Sequence, residues 1–436
     1  MSNATTTARI DVNALRVGMY IHLDLGWMAH PFPLSSFRIA SLAQIDTIRS
    51  LGLKQVRWDP AESAVDVMES ADEPAAAAPA ATNQPADEPV PAAAPAPTPA
   101  EAHARRVAEE AAALRLCERQ YTEAASDCRR TAELVLRQPT EAAASAQALS
   151  RALLDKMLPS QDLCIRLLAD GAGDRASQHA LNVTIVSLLM GRSFGLDESD
   201  LLDLAVGAML HDIGKAELPT RLRHREDDFT AAEARAYEDH VARGVALGRK
   251  MMLTPGAMLV IAQHHEHADG TGFPMKLNAD RMSPLARIVA IVNRYDRLCN
   301  PQLISRGLTP HEALSLLFAQ ARTRFDASIL GAFIKMMGVY PPGSTVQLTD
   351  DRYAIVVGVN ASRPLKPRVL VHEPGVPREQ ALPLDLETSG GLGIRRSVKP
   401  LQLPPSTLGY LSPRPRVAYF FEPTHVADDA VDGALA

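Results

Sequence analysis

Histidine and aspartate residues in the middle of the chain recur at a spacing that could bind metal ions. His211 and Asp212 are adjacent at the end of an apolar stretch, residues 201–210, and shortly before Lys215. The imidazole of such a pair can bind one ion while the two carboxylate oxygens bridge to a second. A His-Asp dipeptide alone is weak evidence, because a capped helix end is the more common explanation for it.

Further histidines accompany this pair. His179 lies upstream on a helical stretch, His240 lies downstream, and His264-His265 follow another apolar stretch. Each of them alone is explained as a core residue with a satisfied hydrogen bond. Five imidazoles together with Asp212 are costly to bury in one helical region without a metal ion. The set therefore predicts a metal site.

The elements that must position these residues are predicted to be helices. Residues 159–340 show helical periodicity with short loops, which indicates an all-helical core domain. A strongly charged helical connector, residues 101–158 with a break at Pro139, precedes it. This connector either packs on the core as amphipathic helices or forms a signalling helix or a dimer seam.

Composition divides the rest of the chain. Residues 61–100 contain fifteen Ala, eight Pro, seven Asp or Glu and no Lys or Arg, which is typical of a disordered acidic linker. Residues 8–60 predict a small α+β domain of regulatory type, with a helix at 41–51 that begins after an N-cap serine and ends at glycine. Strand-like segments predict a small β-rich module at 344–425, whose basic residues are either solvated or dock a partner. The predicted fold class is multidomain and mainly α.

Charge and cysteine content exclude several classes of protein. The 45 Lys or Arg against 51 Asp or Glu give a net charge of −6, which argues against a nucleic-acid partner bound by a basic surface. The four cysteines show no CxxC spacing, which argues against a cysteine zinc site and fits a reducing compartment. Neither a secretory signal nor a membrane-spanning stretch is visible, so no membrane partner and a cytoplasmic location are expected.

Two stretches resemble the signatures of HD-GYP domains, a branch of the HD metal-dependent phosphohydrolases. They read LHDIGKAELP and HHEHADGTGFP. In the second, Phe273 stands where the family usually has tyrosine, a change that removes only a hydroxyl. The resemblance covers about residues 160–338, and residues 10–39 resemble a small domain often found ahead of such modules. It implies an HD-type all-helical phosphohydrolase core and a bacterial signalling enzyme that hydrolyses the second messenger cyclic di-GMP.

The resemblance also implies roles for individual residues at a site for two divalent metal ions, commonly iron or manganese. The implied metal ligands are His179, His211, Asp212, His240, His264, His265 and Asn293, with Asp212 bridging. The implied catalytic residues are His211, Asp212 and Lys215. The implied substrate-binding residues are Lys215, Asp269, Gly270, Gly272, Phe273 and Pro274. A hydroxide that bridges the two metals would cleave the 3',5'-phosphodiester to linear pGpG, or onward to GMP.

The sequence departs from the family pattern at three further places. The usual A-D-x-x-D-A-L reads V-N-R-Y-D-R-L, so Asn293 replaces a ligand aspartate, and Asp296 either substitutes for it or does not reach. The Arg-Pro-Tyr stretch that normally follows is replaced by Pro301–Ser305. Arg175 stands where the family has a glutamate that binds a third metal. Its side chain either contacts phosphate or is solvated. The change favours a site with two metals over one with three.

These departures leave several interpretations open. The chain is expected to be a phosphodiesterase, attenuated or not by Asn293. It could instead be a degenerate domain that senses cyclic di-GMP, or a module that docks protein partners through the loop after His265 or the N-terminal domain. A phosphohydrolase acting on another nucleotide is the third alternative, and a homodimer is also left open.

Overall fold

The computed structural model describes residues 8–24, 36–39, 41–60, 63, 98–160, 162–168, 173–224, 229–360, 363 and 365–423. The chain divides into two compact units, residues 1–105 and 106–436. The predicted linker at 61–100 lies almost wholly outside the described residues. The domain boundaries inferred from composition therefore stay predictions.

The first unit contains a four-stranded antiparallel sheet and one helix. The helix begins where predicted, because the hydroxyl of Ser41 accepts a hydrogen bond from the backbone N–H of Gln44, and it ends before Gly52, whose φ of +72° suits glycine. Ile21 and Ile48 are fully buried in its core. The elements are β1 Ala8–Asp11, β2 Tyr20–His22, β3 Ser36–Arg38, α1 Leu42–Ser50 and β4 Gln55–Asp59, with strand order β1-β4-β2-β3.

The second unit is mainly helical, as predicted. Its helices are α2 Pro99–Leu134, α3 Pro139–Met157, α4 Arg175–Ser193, α5 Glu198–Leu210, α6 Ala231–Glu238, α7 His240–Lys250, α8 Pro255–Gln263, α9 Pro284–Cys299, α10 Pro310–Arg324, α11 Ala327–Met337 and α12 Pro405–Leu411. Pro139 is the first residue of α3, where its missing N–H costs no hydrogen bond. No helix in the described part of the chain is both long and apolar enough to cross a membrane.

Helices α4, α5, α8 and α9 form the core that carries the histidines. Helix α4 packs on α5 and α9, and α8 packs on α5, α7 and α9. Gly207 of α5 permits one of these contacts, because a Cβ atom there would lie 2.6 Å from the Cβ of Val260 on α8. This close approach brings the C-terminal ends of α5 and α8 together, and four of the predicted metal ligands, His211, Asp212, His264 and His265, lie at those ends.

A seven-stranded sheet accounts for the C-terminal strands, but one of its members comes from elsewhere. Leu163–Leu167, within the range expected to be helical, forms a strand between the strands Tyr353–Asn360 and Tyr419–Pro423. The helical prediction was wrong here, since the apolar run LCIRL is buried and pairs with strands about 190 to 260 residues further along the chain. The strands are β5 Leu163–Leu167, β6 Thr345–Leu348, β7 Tyr353–Asn360, β8 Arg368–Val371, β9 Leu384–Asp385, β10 Ile394–Ser397 and β11 Tyr419–Pro423.

A buried ion-pair network joins this sheet to α2. Arg166 on β5 contacts Glu422 of β11 at 2.6 Å and also Glu110 of α2. Arg368 on β8 contacts Glu110 at 2.9 Å. Because each charge has an oppositely charged partner, the desolvation cost of burying the group is offset. The predicted fold class, mainly α with small strand-containing N-terminal and C-terminal regions, is confirmed.

Candidate metal centre

The five predicted histidine ligands lie at or next to helix ends that meet at one point. His179 is in the second turn of α4, His211 directly follows α5, and His240 is the first residue of α7. His264 and His265 directly follow α8. His211, His240 and His264 are fully or almost fully buried. The structure therefore brings together residues that are up to 86 positions apart in the sequence.

Hydrogen bonds at Nδ1 fix the orientation of four of these rings. The Nδ1 atoms of His211, His240 and His264 lie 2.6, 2.5 and 2.8 Å from the carbonyl oxygens of the residues three positions earlier. His179 Nδ1 lies 2.6 Å from Oδ2 of Asp296. A carbonyl or carboxylate oxygen can only accept, so each Nδ1 carries the proton and each Nε2 presents a lone pair. This is the arrangement that metal-binding histidines adopt.

The Nε2 atoms face one another around Asp212 in two groups. His179 and His211 have their Nε2 atoms 3.2 Å apart, and His240 and His264 have theirs 3.4 Å apart. Candidate ligand atoms lie within 4.8 Å of one another in each group, the first formed by His179, His211 and Asp212, the second by Asp212, His240, His264 and His265. Facing lone pairs repel unless a cation lies between them, and Asp212 belongs to both groups.

Polar atoms without a partner support the same interpretation. Asp212 Oδ1, His265 Nε2 and Asn293 Oδ1 are buried and accept or donate no hydrogen bond among the described residues. Such atoms are rare in folded proteins and call for a specific explanation. All three belong to the predicted ligand set, so metal ions fit the residues that are present.

Burial keeps the imidazoles neutral. It lowers the pKa of His264 to about 3, although the nearby carboxylate of Asp212 opposes this shift. Burial likewise lowers the pKa of His179 and of His240, although neighbouring carboxylates oppose it. Burial and the adjacent His264 hold the pKa of His265 well below its ordinary value. At neutral pH these lone pairs are therefore available for cations.

Asp212 is ionised for a different reason. Burial alone would raise the pKa of its carboxyl group, but the ammonium group of Lys215 and the neighbouring His211 outweigh burial and hold that pKa well below its ordinary value. Lys215 Nζ lies 2.5 Å from Asp212 Oδ2. Asp212 Oδ1 points the other way, 3.4 Å from His240 Nε2. The two oxygens thus face different groups, as a bridging carboxylate requires.

Two residues of α9, Asn293 and Asp296, lie where the resemblance implies a carboxylate ligand for the first metal. Asn293, which is buried, has an Oδ1 atom without a partner and lines the same cavity as the histidines. Asp296 is one turn further on, but both of its oxygens are occupied: Oδ2 by His179, and Oδ1 by the amide groups of Asn182 and Asn300 at 2.8 and 2.9 Å. Asp296 therefore orients His179 in this structure, and the predicted ligand Asn293 faces the site without a charge.

The loop after His265 is built on Glu266. The carboxylate of this fully buried residue accepts hydrogen bonds from the backbone N–H groups of Met275 and Leu277, at 2.6 and 2.8 Å. Gly272 folds back against the same segment, where a Cβ atom would lie 2.5 Å from both Glu266 Cα and the carbonyl oxygen of His265. Gly270 has φ of +74°, which glycine adopts without strain. The glycines shape the loop that closes one side of the site.

The predicted substrate-binding residues fall into two groups. Lys215, Gly272 and Phe273 line the cavity, and Phe273 stacks on His265 with ring centroids 4.5 Å apart. Asp269, Gly270 and Pro274 are not part of the described cavity wall. Asp269 is exposed, and its Oδ1 accepts hydrogen bonds from the backbone and hydroxyl of Thr271. For these three residues a direct contact with substrate stays a prediction.

The cavity in front of the histidines is large and positively charged. Its volume is about 1790 Å³, and eleven Lys or Arg side chains but only six Asp or Glu side chains line it. Ligand pockets of roughly 300–1,000 Å³ hold drug-sized molecules, so a dinucleotide has room here. The excess of cations favours an anionic ligand.

Two side chains near the centre were missed by the sequence analysis. The guanidinium group of Arg297 donates a hydrogen bond to the hydroxyl of Tyr237 at 2.6 Å, and Lys215 Nζ lies 5.2 Å from the centre of the same ring. Arg297 lies four residues after Asn293 on α9, so its position on the same helix face could have been noticed. Tyr237 carried no such signal, since it belongs to no motif.

Comparison with known proteins identifies the region that contains these residues. A model of the HD domain family matches residues 162–329, and a model described as a domain of unknown function (DUF3391) matches residues 7–146. The first of these ranges contains all the predicted ligands.

Individual proteins and one solved structure are also similar to this chain. The protein named cyclic di-GMP phosphodiesterase PA4108, from Pseudomonas aeruginosa, is 27% identical over 83% of this chain and 84% of its own length. The 3'3'-cGAMP-specific phosphodiesterase 3 of Vibrio cholerae is 25% identical over 40% of this chain and 38% of its own. The solved structure of Bd1817, an HDG"Y"P protein from Bdellovibrio bacteriovorus, covers 75% of this chain and 98% of its own at 15% identity, with a TM-score of 0.40. Residues 162–329 therefore match the HD domain family, and the two sequence motifs within them resemble those of its HD-GYP branch.

Proposed function

We propose that this chain is a metal-dependent phosphodiesterase that hydrolyses cyclic di-GMP to linear pGpG, or onward to GMP. The observation that carries the proposal is the pair of ligand groups that meet at Asp212, with neutral imidazoles and an ionised carboxylate between them. The similarity to cyclic di-GMP phosphodiesterase PA4108 along most of both chains supports the choice of substrate.

The proposed metal site holds two divalent cations. His179, His211 and Asp212 would bind the first, with the amide of Asn293 as a weaker neutral ligand. Asp212, His240, His264 and His265 would bind the second. Nitrogen ligands with one shared carboxylate suit iron or manganese. When bound, the two cations would supply Lewis acidity towards both the phosphodiester and water.

The chain's own residues prepare the site for this chemistry. Asp296 and three backbone carbonyls hold the imidazole protons of His179, His211, His240 and His264 on Nδ1, so that the Nε2 atoms of these four rings stay free of a proton. Lys215, with 13% of its side chain exposed, faces the cavity beside Asp212 and can donate to a phosphate oxygen. The stacked Phe273 covers His265 on the loop side and limits access of bulk water. These groups are in place before substrate arrives, so little reorganisation is needed.

A second candidate is a domain that binds cyclic di-GMP without cleaving it. Asn293 favours it, because a neutral amide at the ligand position leaves the first group one negative charge short. Protein partners at the loop after His265, a homodimer and a cytoplasmic location stay predictions from the sequence.

The experiment is a paired measurement of metal content and hydrolysis. The purified chain is loaded with Mn²⁺ or Fe²⁺, its metal content is determined by elemental analysis, and products from cyclic di-GMP and 3'3'-cGAMP are separated by chromatography. We expect about two metals per chain, conversion of cyclic di-GMP, and no conversion by His211→Ala or Asp212→Ala. His103→Ala, at an exposed histidine of α2, is the control and should retain activity.

The alternatives separate in the same assay. Tight binding of cyclic di-GMP without turnover at any metal loading would establish the sensor and refute the enzyme. Preferential cleavage of 3'3'-cGAMP would keep the reaction class and change the substrate.

A further inference from the structure

Arg416 brings a positive charge into the cavity from outside the HD domain. It lies in the segment that leads into β11, about ninety residues after the end of the matched region, yet it lines the same cavity as His179 and Asp212. The predicted β-module had no assigned role, and this residue suggests one.

The backbone next to Arg416 is anchored to the helices of the metal centre. The backbone N–H of Val417 donates to Oδ1 of Asn300 at 2.9 Å, and the Val417 carbonyl accepts from the side chains of Asn182 and Asn300 at 3.0 and 2.9 Å. Asn182 and Asn300 also hydrogen-bond to Asp296, which orients His179. These hydrogen bonds therefore fix the position of Arg416 relative to the metal ligands.

Arg416 has no carboxylate within ion-pair distance among the described residues, and its Nε atom is buried without an acceptor. In the same cavity wall Arg175 donates to the carbonyl oxygens of Pro301 and Gln302, at 2.6 and 3.0 Å. Burial, and then the charge of Arg416, lower the pKa of Arg175. Two guanidinium groups thus lie near each other while every acceptor found for them is neutral.

Asp174, the acidic residue next to Arg175 in the sequence, does not neutralise the charges of the two guanidinium groups. The carboxylate of Asp174 accepts hydrogen bonds from the backbone of Ala176 and Ser177 and from the Ser177 hydroxyl, so it caps α4. Partly buried cations without a counter-charge are costly. An anion bound between them removes that cost and gains charge-assisted hydrogen bonds.

We propose that Arg416 and Arg175 bind the phosphodiester of cyclic di-GMP that is not being cleaved, while the other phosphodiester lies at the metal centre. The substrate is a dianion with two phosphodiesters, so it requires two such places. This inference rests on the proposed function and adds to it a substrate-binding residue from the C-terminal sheet region, which makes the HD domain alone incomplete.

The test compares a substrate with two phosphodiesters and one with a single phosphodiester. Arg416→Ala, Arg416→Lys and Arg414→Ala are prepared in the full chain. Arg414 is an exposed arginine two residues earlier that lies outside the cavity wall and serves as the matched control. Initial rates are measured with cyclic di-GMP and with bis(p-nitrophenyl) phosphate, and metal content and thermal unfolding are recorded for each variant.

We expect Arg416→Ala to raise KM for cyclic di-GMP by about tenfold to a hundredfold, the effect of losing one charged hydrogen bond. Its kcat/KM should fall at least about tenfold more for cyclic di-GMP than for the single phosphodiester. Arg416→Lys should recover part of the loss, because it keeps the charge but not the paired donors.

Three results would overturn the inference, and they differ in meaning. If the wild-type chain cleaves cyclic di-GMP and Arg416→Ala behaves like Arg414→Ala, the role of Arg416 alone is wrong. If both substrates lose the same factor, Arg416 acts on the metal centre and not on a second phosphodiester. Absence of any turnover or binding by the wild-type chain would instead refute the proposed function together with this inference.

Discussion

Replacing Asp296 with asparagine should weaken the binding of one of the two proposed metal ions, although no metal ligand is removed. Three donors converge on the two oxygens of this carboxylate: His179 Nδ1 at 2.6 Å, and the side-chain amides of Asn182 and Asn300 at 2.8 and 2.9 Å. An asparagine amide replaces one of these oxygens by an N–H donor. At least one donor then faces another donor, or His179 moves its proton to Nε2.

The size of the effect follows from this geometry. A buried donor left without an acceptor costs about 1–3 kcal/mol, and loss of a carboxylate behind a metal-binding histidine weakens metal affinity by about 10–100-fold. That range corresponds to about 1.4–2.7 kcal/mol. The loss of affinity should concern the ion that His179 and His211 bind. The ion bound by His240, His264 and His265 should be affected much less, since their hydrogen bonds are unchanged.

A competition titration with a coloured chelator measures both affinities. Wild type, Asp296→Asn and Asp203→Asn are stripped of metal and titrated with Mn²⁺. Asp203 lies on α5, accepts a hydrogen bond from the Thr254 hydroxyl at 2.5 Å and lies outside the cavity, so it is a matched control. We expect two unequal affinities for Asp296→Asn, with unchanged circular dichroism.

If Asp296→Asn bound both ions as tightly as wild type, the orientation of His179 would not depend on this carboxylate. That result would refute the prediction. An equal loss at both ions with a changed circular dichroism spectrum would mean that Asp296 acts on the fold.

Three further predictions concern the ligand amide, a packed glycine and a helix cap. Asn293→Asp should tighten binding of the first ion by about tenfold or more, since it adds a charged oxygen where a neutral one lies buried; unchanged affinity in the chelator titration would show that the amide does not attenuate the site. Gly214→Ala should lower thermal stability and metal content together, because its Cβ atom would collide with the carbonyl oxygen of His240 and with Gly244, whereas Gly331→Ala, where nothing lies within 4 Å, should do neither. Asp326→Asn should reduce the free energy of unfolding by about 1–2 kcal/mol at pH 7. Burial raises the pKa of Asp326, but the Ser328 hydroxyl, Arg287 and the first backbone N–H groups of α11 outweigh it and lower that pKa to about 2, below its ordinary 3.8. The stabilisation is therefore complete above about pH 4 and is lost as the pH falls towards 2. Urea unfolding at pH 7, 5 and 3 tests this, and a difference that grew as the pH fell would contradict it.

The part of the site that could be predicted from the sequence depends on short-range patterns. His211 and His264 follow apolar helices, and a histidine at such an end has a free carbonyl three residues earlier for its Nδ1. That local rule needs no knowledge of the tertiary structure. The motifs then supplied the expectation that the helix ends meet, which periodicity by itself does not contain.

What could not be predicted depends on contacts between distant segments. The strand at residues 163–167 pairs with β7 and β11, and a five-residue apolar run does not distinguish a buried strand from a buried helix. The role of Asp296 depends on which of two carboxylate oxygens faces His179, and spacing on α9 does not decide that. Arg416 reaches the cavity only because Asn182 and Asn300 bind the backbone of Val417.

Net charge gave no indication of the cavity, and the reason is the distribution of the acidic residues. Seven of the 51 Asp or Glu lie in residues 61–100, so the rest of the chain has 45 Lys or Arg against 44 Asp or Glu. That remainder is nearly neutral, yet the cavity is lined by eleven cations and six carboxylates. Of those carboxylates, Asp296 and Glu266 are occupied by hydrogen bonds within the protein, and Asp212 is the one shared by both ligand groups. The local field that an incoming phosphodiester meets is therefore more positive than the count suggests, and divalent cations at Asp212 would make it more positive still.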